Sequence, residues 1–527
     1  MNLAAFLAKA ARQWPDNVAS IHEGETRTYR EFHERALRVG SGLLGLGLER
    51  GDRVAFAYGN GPHVLETLYG CFAAGLVAIP INPRLHAREM AYIATNAGAR
   101  VLLHGPEYQD GLVANWDGFP SVEHRICLEP AAGATTFEEL LAGEQTLSAP
   151  VDVDPDDVCW LFYTSGTTGR PKGAMLTHRS LTKMLMNYLA DVHNIQPGDV
   201  VLHAAPMSHG SGLVALPAVA RGAANVAAES KSFDPKALFE QIQRQGVSHV
   251  AFMAPTQIIA MLDEFVPGEF DLSSLQAICY GGAPIYVEHL KRAVEAFGPI
   301  FAQIYGQGEA PITITGLPAR DHAALLAAGS DRIGSVGQTR TDVEARVVDA
   351  DDNELPPGEV GEVVARGDVV MKGYWGNPEA TEETLRGGWL HTGDVGTFDE
   401  QGYLFLLDRA KDVIISGGNN VYPREVEEVL VQYPGVANVV VLGVPHEYWG
   451  EAVHAVVLLE PDAVVTTEQL VAHCADHLAG YKKPKGIDFV DELPISGYGK
   501  VLRREVRDRY WVGHERQVSG GSAASRA

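Results

Sequence analysis

The sequence predicts an α/β protein: a large N-terminal domain of stacked α/β sheets, a β-rich subdomain, and a small α+β C-terminal domain. Three changes of texture along the chain carry that expectation. From about Val54 to Phe301, short apolar runs alternate with amphipathic segments, the pattern of sheets rich in parallel pairings. After Asp331 the apolar runs shorten and Gly/Pro turns separate them, as in an antiparallel sheet. Near Asp408 to Asp412 the pattern changes again, to a compact unit of about 100 residues, a size that folds alone.

Met1 to Trp14 reads as an amphipathic helix. Further on, Asp234 is a natural N-cap and Pro235 a natural first helical residue. Ala237, Leu238 and Ile242 share one face, and Gly246 stops the helix. Val247–Met253 follows as a buried strand, Thr256–Phe265 as a helix, Leu275–Tyr280 as a strand ending on Gly281-Gly282, Ile285–Phe297 as a helix and Phe301–Tyr305 as a strand. Strands are expected at Val343–Val348, Glu362–Arg366 and Tyr403–Leu407. In the last unit Arg424–Gln432 and Thr466–Leu478 read as helices, and Ala437–Val444, Ala452–Leu459 and Ile487–Val490 as strands. The expected division is therefore 1–408, 409–513 and a flexible tail over 514–527, whose last residues, Gln517 to Ala527, are small, polar and Gly/Ser-rich.

Composition excludes several functions. A length of 527 residues calls for more than one core, and 46% hydrophobic with 21% charged residues is ordinary for a soluble globular chain. The net charge of −25 argues against non-specific nucleic-acid binding, which needs a basic footprint. Local basic groups and backbone amides can still hold phosphates. Five scattered cysteines without a CxxC pair argue against a disulfide framework or a zinc site and fit a reducing compartment. Neither a signal peptide nor an apolar run of about 20 residues is present, so the expectation is a cytoplasmic protein without a membrane span. Nothing in the sequence sets the oligomeric state; a homodimer is compatible with it.

The strongest chemical signal is Leu161 to Gly173, LFYTSGTTGRPKG. A strand-like Trp160–Tyr163 runs into hydroxyls and glycines (Thr164, Ser165, Gly166, Thr167, Thr168, Gly169) and then a basic pair, Arg170 and Lys172. Glycines let backbone N–H groups turn toward an anion, hydroxyls add donors, and the basic pair adds charge. It is not a Walker A loop, because no Gly precedes Lys172 and no Ser/Thr follows it. A flexible Gly/Thr turn would rarely combine all these features.

With this loop, the sequence resembles the adenylate-forming superfamily of acyl-CoA synthetases, amino-acid adenylation domains and firefly luciferase, over about residues 1 to 510, and most closely its carboxylic acid–CoA ligases. The resemblance implies an ATP-dependent ligase working through an acyl-adenylate, with ATP, Mg²⁺ and CoA, and it makes the loop a pyrophosphate-embracing one. In Tyr305-Gly306-Gln307-Gly308-Glu309, a carboxylate at a strand end can hold Mg²⁺ against phosphates. The resemblance lays Tyr305 and Gly306 against adenine and gives Glu309 to Mg²⁺. Here the chain departs from the family, which has Thr where Gly308 stands; the expectation is a lost α-phosphate contact and a wider pocket floor.

Gly281-Gly282-Ala283 would permit close backbone approach by a flat ligand. Asp394, closing Trp389-Leu390-His391-Thr392-Gly393-Asp394, suits the two ribose hydroxyls, and the resemblance adds Arg409 there and Lys411 as the pivot of a mobile C-terminal domain. Alone, Asp394 would read as a turn residue. Lys500, in Ser496-Gly497-Tyr498-Gly499-Lys500, would read as part of a solvated basic tail. The resemblance makes it the catalytic lysine between carboxylate and α-phosphate, where an ammonium offsets repulsion between two anions.

His209 matches the entrance of the acyl site, with Met253, Gly281, Gly306, Gly308 and Ile312 as walls; small or apolar residues suit an apolar acyl or aryl tail. Ser416-Gly417-Gly418 would let pantetheine lie along the backbone, with Trp449 and the lysines of Tyr481-Lys482-Lys483-Pro484-Lys485 facing CoA. Rival readings are an adenylation enzyme loading a carrier protein, a luciferase-like oxygenase and a non-catalytic nucleotide-binding homologue. The first lacks an evident acidic residue for an amino-acid ammonium near His209 to Leu213 and room for a carrier domain of about 80 residues.

Overall fold

The computed structural model describes residues 1–143, 146–164, 170–230, 232–283, 285–495 and 501–512. Two large sheets form its body. One is seven-stranded, in the spatial order Thr135–Thr136, His124–Cys127, Val101–His104, Arg53–Ala57, Val77–Pro80, Val158–Thr164, Lys172–Thr177. Its pairings are parallel except the last, an antiparallel hairpin. The other is nine-stranded and includes Phe301–Tyr305, Ala277–Gly281, His249–Met253, Val200–His203, Ala224–Ala227 and Val18–His22, paired in parallel. The strand-helix-strand reading over residues 234–305 holds within two or three residues at element ends. Asp234 accepts from the Ala237 N–H at 3.1 Å, and Gly246 ends the helix Pro235–Gln245 in the left-handed region.

Two helices explain why the sheets stack. Pro62–Ala74 is buried from Val64 to Ala74, and Gly210–Arg221 from Ser211 to Val219. A helix buried all round has no solvent face, so it must be covered on every side, and the buried Glu66 of the first is met there by Arg27 and Arg35. Pro62–Ala74 contacts Val77–Pro80 of one sheet and Val18–His22 of the other, and so lies between them. Among the described residues no helix is long and apolar enough to cross a membrane.

The antiparallel subdomain is four-stranded: Glu344–Val348, Gly361–Arg366, Leu390–Phe398, Leu404–Arg409. The short strands Thr315–Leu317 and Gln338–Thr339 belong instead to the edge of the nine-stranded sheet, so the change of architecture falls after residue 339 rather than at Asp331. Strands this short carry no readable period. A turn at Ala410–Asp412 leads to the C-terminal sheet, in which Gly450–Leu459 pairs Val436–His446 antiparallel and Gly486–Val490 parallel, over the helices Pro423–Leu430 and Thr467–His477.

The start of helix Gly210–Arg221 is unusually tight. A Cβ on Gly212 would lie 1.8 Å from the Met207 carbonyl oxygen, and both Gly212 and Leu213 donate to the His209 carbonyl. Gly212→Ala is therefore expected to lower the thermal unfolding midpoint by several degrees, an overpacking cost of roughly 1–3 kcal/mol. Gly480→Ala, where a Cβ meets nothing, is expected to leave it in place. Equal melting curves for the two variants would refute the close packing.

Candidate active site

The site lies at the carboxyl ends of parallel strands, where loops rather than ladder bonds follow and ligands can approach. Phe301–Tyr305 delivers Tyr305, and the turn beyond it delivers Gln307 and Glu309. The glycine-rich loop closes the hairpin Val158–Thr164/Lys172–Thr177, in which Thr164 and Lys172 are direct cross-strand partners. Their eight-residue separation in sequence thus becomes one position at the loop's neck. Ser165, Gly166, Thr167, Thr168 and Gly169 lie outside the described residues, as does Lys500.

Glu309 is 8% exposed; its Oε1 accepts from the Thr164 hydroxyl at 3.2 Å and from the Tyr374 hydroxyl at 2.6 Å. The Lys172 ammonium sits 5.1 Å from the centre of the Tyr374 ring, a cation–π contact. Tyr374 thus joins the loop's cation to the carboxylate, and burial followed by the Glu309 charge raises its phenol pKa, keeping it a donor. The sequence offered no sign of this, because Tyr374 is distant along the chain and stands in a Gly-Tyr-Trp-Gly run that matches none of the phosphate-handling motifs.

Asp394, 6% exposed, is the second anchored carboxylate. Its Oδ2 accepts from Tyr305 Oη and Gln307 Nε2, both at 2.7 Å, and its Oδ1 pairs with Arg409 Nε at 2.6 Å. Gln307 also donates to the Thr392 carbonyl at 2.8 Å, a role that its place between two glycines did not signal. Asp394 and Arg409 are brought together, as expected, by adjacent antiparallel strands.

Several glycines have a different cause from the one expected. A Cβ on Gly308 would lie 2.4 Å from Thr164 Cγ2 and 2.7 Å from Phe162 Cδ1, so the missing side chain does not widen the floor: these two side chains fill it. A Cβ on Gly281 would lie 2.4 Å from the Ile304 carbonyl, and one on Gly306 2.5 Å from Ile312 N. Strand packing and a folded-back turn exclude side chains there. Ile312 itself has φ +46°, rare for a β-branched residue, and closes that turn. Gly282, at φ +78°, is exposed next to the half-buried Ala283. His209 caps the helix Gly210–Arg221, with Nδ1 3.0 Å from Ser208 Oγ and its ring edge-on to Phe162 at 5.1 Å. Met253 has no accessible surface.

In the C-terminal unit, Gly417 and Gly418, both at positive φ, form the two-residue turn between Ile414–Ser416 and Asn419–Val421, the geometry a tight hairpin requires. Trp449 packs on Gly417, and the Lys485 ammonium stands 5.7 Å from its ring centre. Ser416 is buried. Lys411 lies in the turn Ala410–Asp412, its pKa lowered by burial.

Two anchored carboxylates thus stand near the end of the strand Phe301–Tyr305, Asp394 on Tyr305 and Gln307, and Glu309 on Thr164 at the loop's neck. Residues 7–375 match the family described as AMP-binding enzyme and residues 425–500 the one described as AMP-binding enzyme C-terminal domain; the chain belongs to the AMP-binding enzymes. It is 40% identical over 510 residues to a feruloyl-CoA synthase of Amycolatopsis sp, covering 96% of this chain and 99% of that protein. It is 36% identical over 516 residues to the fatty acid–[acyl-carrier-protein] ligase ScoC of Streptomyces coeruleorubidus, covering 97% and 96%. Among solved structures, the anthranilate CoA ligase AuaEII in complex with anthranoyl-AMP superposes with a TM-score of 0.88 at 26% identity, covering 97% of both chains.

Two tests follow from the geometry. Tyr374→Phe removes a hydrogen bond to a buried carboxylate and is expected to raise the Mg·ATP concentration that half-saturates pyrophosphate exchange by roughly tenfold, the worth of a bond to a charged group; an unchanged value would dismiss that bond. Asp408 carries the second. Its Oδ2 is buried with no hydrogen-bond partner among the described residues, and burial, helped by the charges of Glu427 and Asp412, lifts its pKa from 3.8 to about 6 despite Arg503. A carboxyl with a raised folded-state pKa binds more protons folded than unfolded, so its contribution favours folding below pH 4 and is lost as pH rises through 6. Asp408→Asn is expected to raise the melting temperature above pH 6 and to leave it unchanged near pH 4; a gain independent of pH would dismiss the titration.

Proposed function

We propose that this AMP-forming acid–CoA ligase activates an apolar aryl acid as its acyl-adenylate and passes the acyl group to the thiol of CoA. The observation that carries the reading is the convergence of Thr164, Lys172, Glu309 and Asp394, from distant segments, on one strand-end cleft with His209 and Phe162 at its side. The aromatic pair favours a flat acid, as do the names of the feruloyl-CoA synthase and anthranilate CoA ligase relatives.

In the first step a carboxylate oxygen of the acid bonds to the α-phosphorus of ATP, and the bond from that phosphorus to the bridging oxygen breaks, releasing pyrophosphate. The loop from Thr164 to Lys172 would hold the departing pyrophosphate, Asp394 and Arg409 the ribose, and Tyr305 with Gly281, Gly282, Ala283 and Gly306 the adenine. Lys500 would stand between the acid and the α-phosphate. A magnesium ion would neutralise phosphate charge beside Glu309. The donor set fits that role: Glu309 is a hard carboxylate held by Thr164 at the loop's neck, and a hard cation takes one or two such carboxylates together with phosphate oxygens. In the second step the CoA sulfur bonds to the acyl carbon, the bond to AMP breaks, and the thiol proton leaves to solvent.

Lys500 serves only the first step. The unit 409–513 would therefore turn about Lys411 relative to residues 1–408, bringing Ser416, Gly417, Gly418 and Trp449 to the CoA side. The aromatic–lysine pair of Trp449 and Lys485 suits a nucleotide-bearing thiol. Five cysteines, all buried and unpaired, fit a cytoplasmic setting.

A CoA-dependent AMP-release assay over ferulate, cinnamate, anthranilate, octanoate and malonate tests the substrate class. Aryl acids are expected to lead, and a preference for malonate or octanoate would overturn the aryl reading. Faster transfer to a carrier-protein pantetheine than to CoA would replace the acceptor, as the name of ScoC suggests for that relative. Lys500→Ala is expected to lose adenylate formation by roughly 100-fold or more, the scale of removing one charge-stabilising group, while still converting supplied acyl-adenylate to thioester. Equal loss of both half-reactions would sink the role given to Lys500.

A further inference from the structure

Gly308 stands where two halves of the site meet. Phe162 and Thr164, two apart on the strand Val158–Thr164, point to the same side and both reach the space a side chain at 308 would need. Phe162 continues to the acyl side, where its ring meets the His209 imidazole edge-on at 5.1 Å. Thr164 continues to the phosphate side, where its hydroxyl donates to Glu309 at 3.2 Å. The three nearest contacts crowding position 308 come from side chains: Thr164 Cγ2 at 2.4 Å, Phe162 Cδ1 at 2.7 Å and Phe162 Cε1 at 3.1 Å. A substituent at 308 would therefore act by displacing these side chains.

We infer that Phe162, Thr164 and Gly308 form a matched steric junction in which Gly308 lets Phe162 position His209 for the acid while Thr164 positions Glu309 for the nucleotide. Phe162 is thus a positioning residue for acid specificity, and the side chain absent at 308 is compensated by the phenyl ring. The two branches are separable by chemistry. A group at 308 pushes the Thr164 methyl, and because a β-branched side chain has few rotamers, relief costs the hydroxyl its bond to Glu309. The same group pushes the ring of Phe162, and relief moves the ring off His209.

The test rests on the proposed ligase reading only for its kinetic arm. Gly308→Ala is expected to raise the KM for the acid and the KM for ATP, each by roughly tenfold, as overpacking a filled site does. Against matching single variants, Phe162→Leu combined with Gly308→Ala should recover the acid KM but not the ATP KM. Thr164→Ser removes the crowding methyl and keeps the hydroxyl; combined with Gly308→Ala it should recover the ATP KM but not the acid KM. Relief of both constants by either partner, or of neither, would overturn the junction.

A double-mutant cycle in thermal unfolding needs no substrate. Phe162→Leu and Gly308→Ala together should melt higher than the sum of their separate losses, and strict additivity would refute the packing claim. If no acid is turned over at all, the ligase reading fails while this cycle still decides the junction.

Discussion

Most of the site depends on one buried carboxylate. Asp394 receives Tyr305 from the nine-stranded sheet, Gln307 from the turn behind it and Arg409 from the last antiparallel strand, and so binds the two sheets at the point where the chain leaves for its C-terminal unit. A charge at 6% exposure is tolerated only when donors replace the lost water. Here three do, and each is held elsewhere: Tyr305 by burial, Gln307 by the Thr392 carbonyl, Arg409 by its strand. A carboxylate offers about four lone-pair positions, so one remains for a ligand hydroxyl. A second opens only if a donor lets go, and Arg409, 46% exposed, is the one with solvent to move into.

Parallel strands separated by amphipathic helices write two periodicities into the sequence, and from residue 234 to 305 both were legible because each helix also carries its cap or stop. Two features were not. The hairpin that closes the glycine-rich loop is a non-local fact: Lys172–Thr177 reads as a mixed polar and apolar run until Val158–Thr164 is beside it. The edge strands Thr315–Leu317 and Gln338–Thr339 are too short to show alternation, so the sequence gives no reading of them.

In the site, charged residues were legible and the packing around small ones was not. Glu309, Asp394, Arg409 and Lys172 stand in motifs whose chemistry is carried by the side chain itself, and the structure brings Asp394 to Arg409 and Glu309 to Thr164. A glycine carries no such information. Gly281, Gly306, Gly308 and Gly417 all looked like room for a ligand, yet the space at each is taken by Ile304, Ile312, Phe162 with Thr164, and Trp449. Only coordinates distinguish an open glycine from one filled by its neighbour, because the filling residue can lie more than a hundred positions away. Tyr374 was missed for the same reason: its hydroxyl matters only because the fold places it on Glu309.

The contacts between the two units are both polar and apolar. Arg424 donates to the carbonyls of Leu406, Ile285 and Gly334 at 3.1 to 3.5 Å, and the Tyr286 hydroxyl to the Val439 carbonyl at 3.1 Å. The Tyr286 ring also packs against the apolar cluster that holds Val426, Val439 and Val441. Within the C-terminal unit, ion pairs gather beside the connection. Arg503 pairs with Glu427, Arg507 with Asp412 at 2.9 Å, and Asp408 is buried beside them with a raised pKa. The Arg409 N–H reaches only Asp408 Oδ1, at 2.7 Å, so the buried carboxyl is incompletely compensated and its charged form weakens the packing of the connection at neutral pH, whereas a neutral residue would strengthen it.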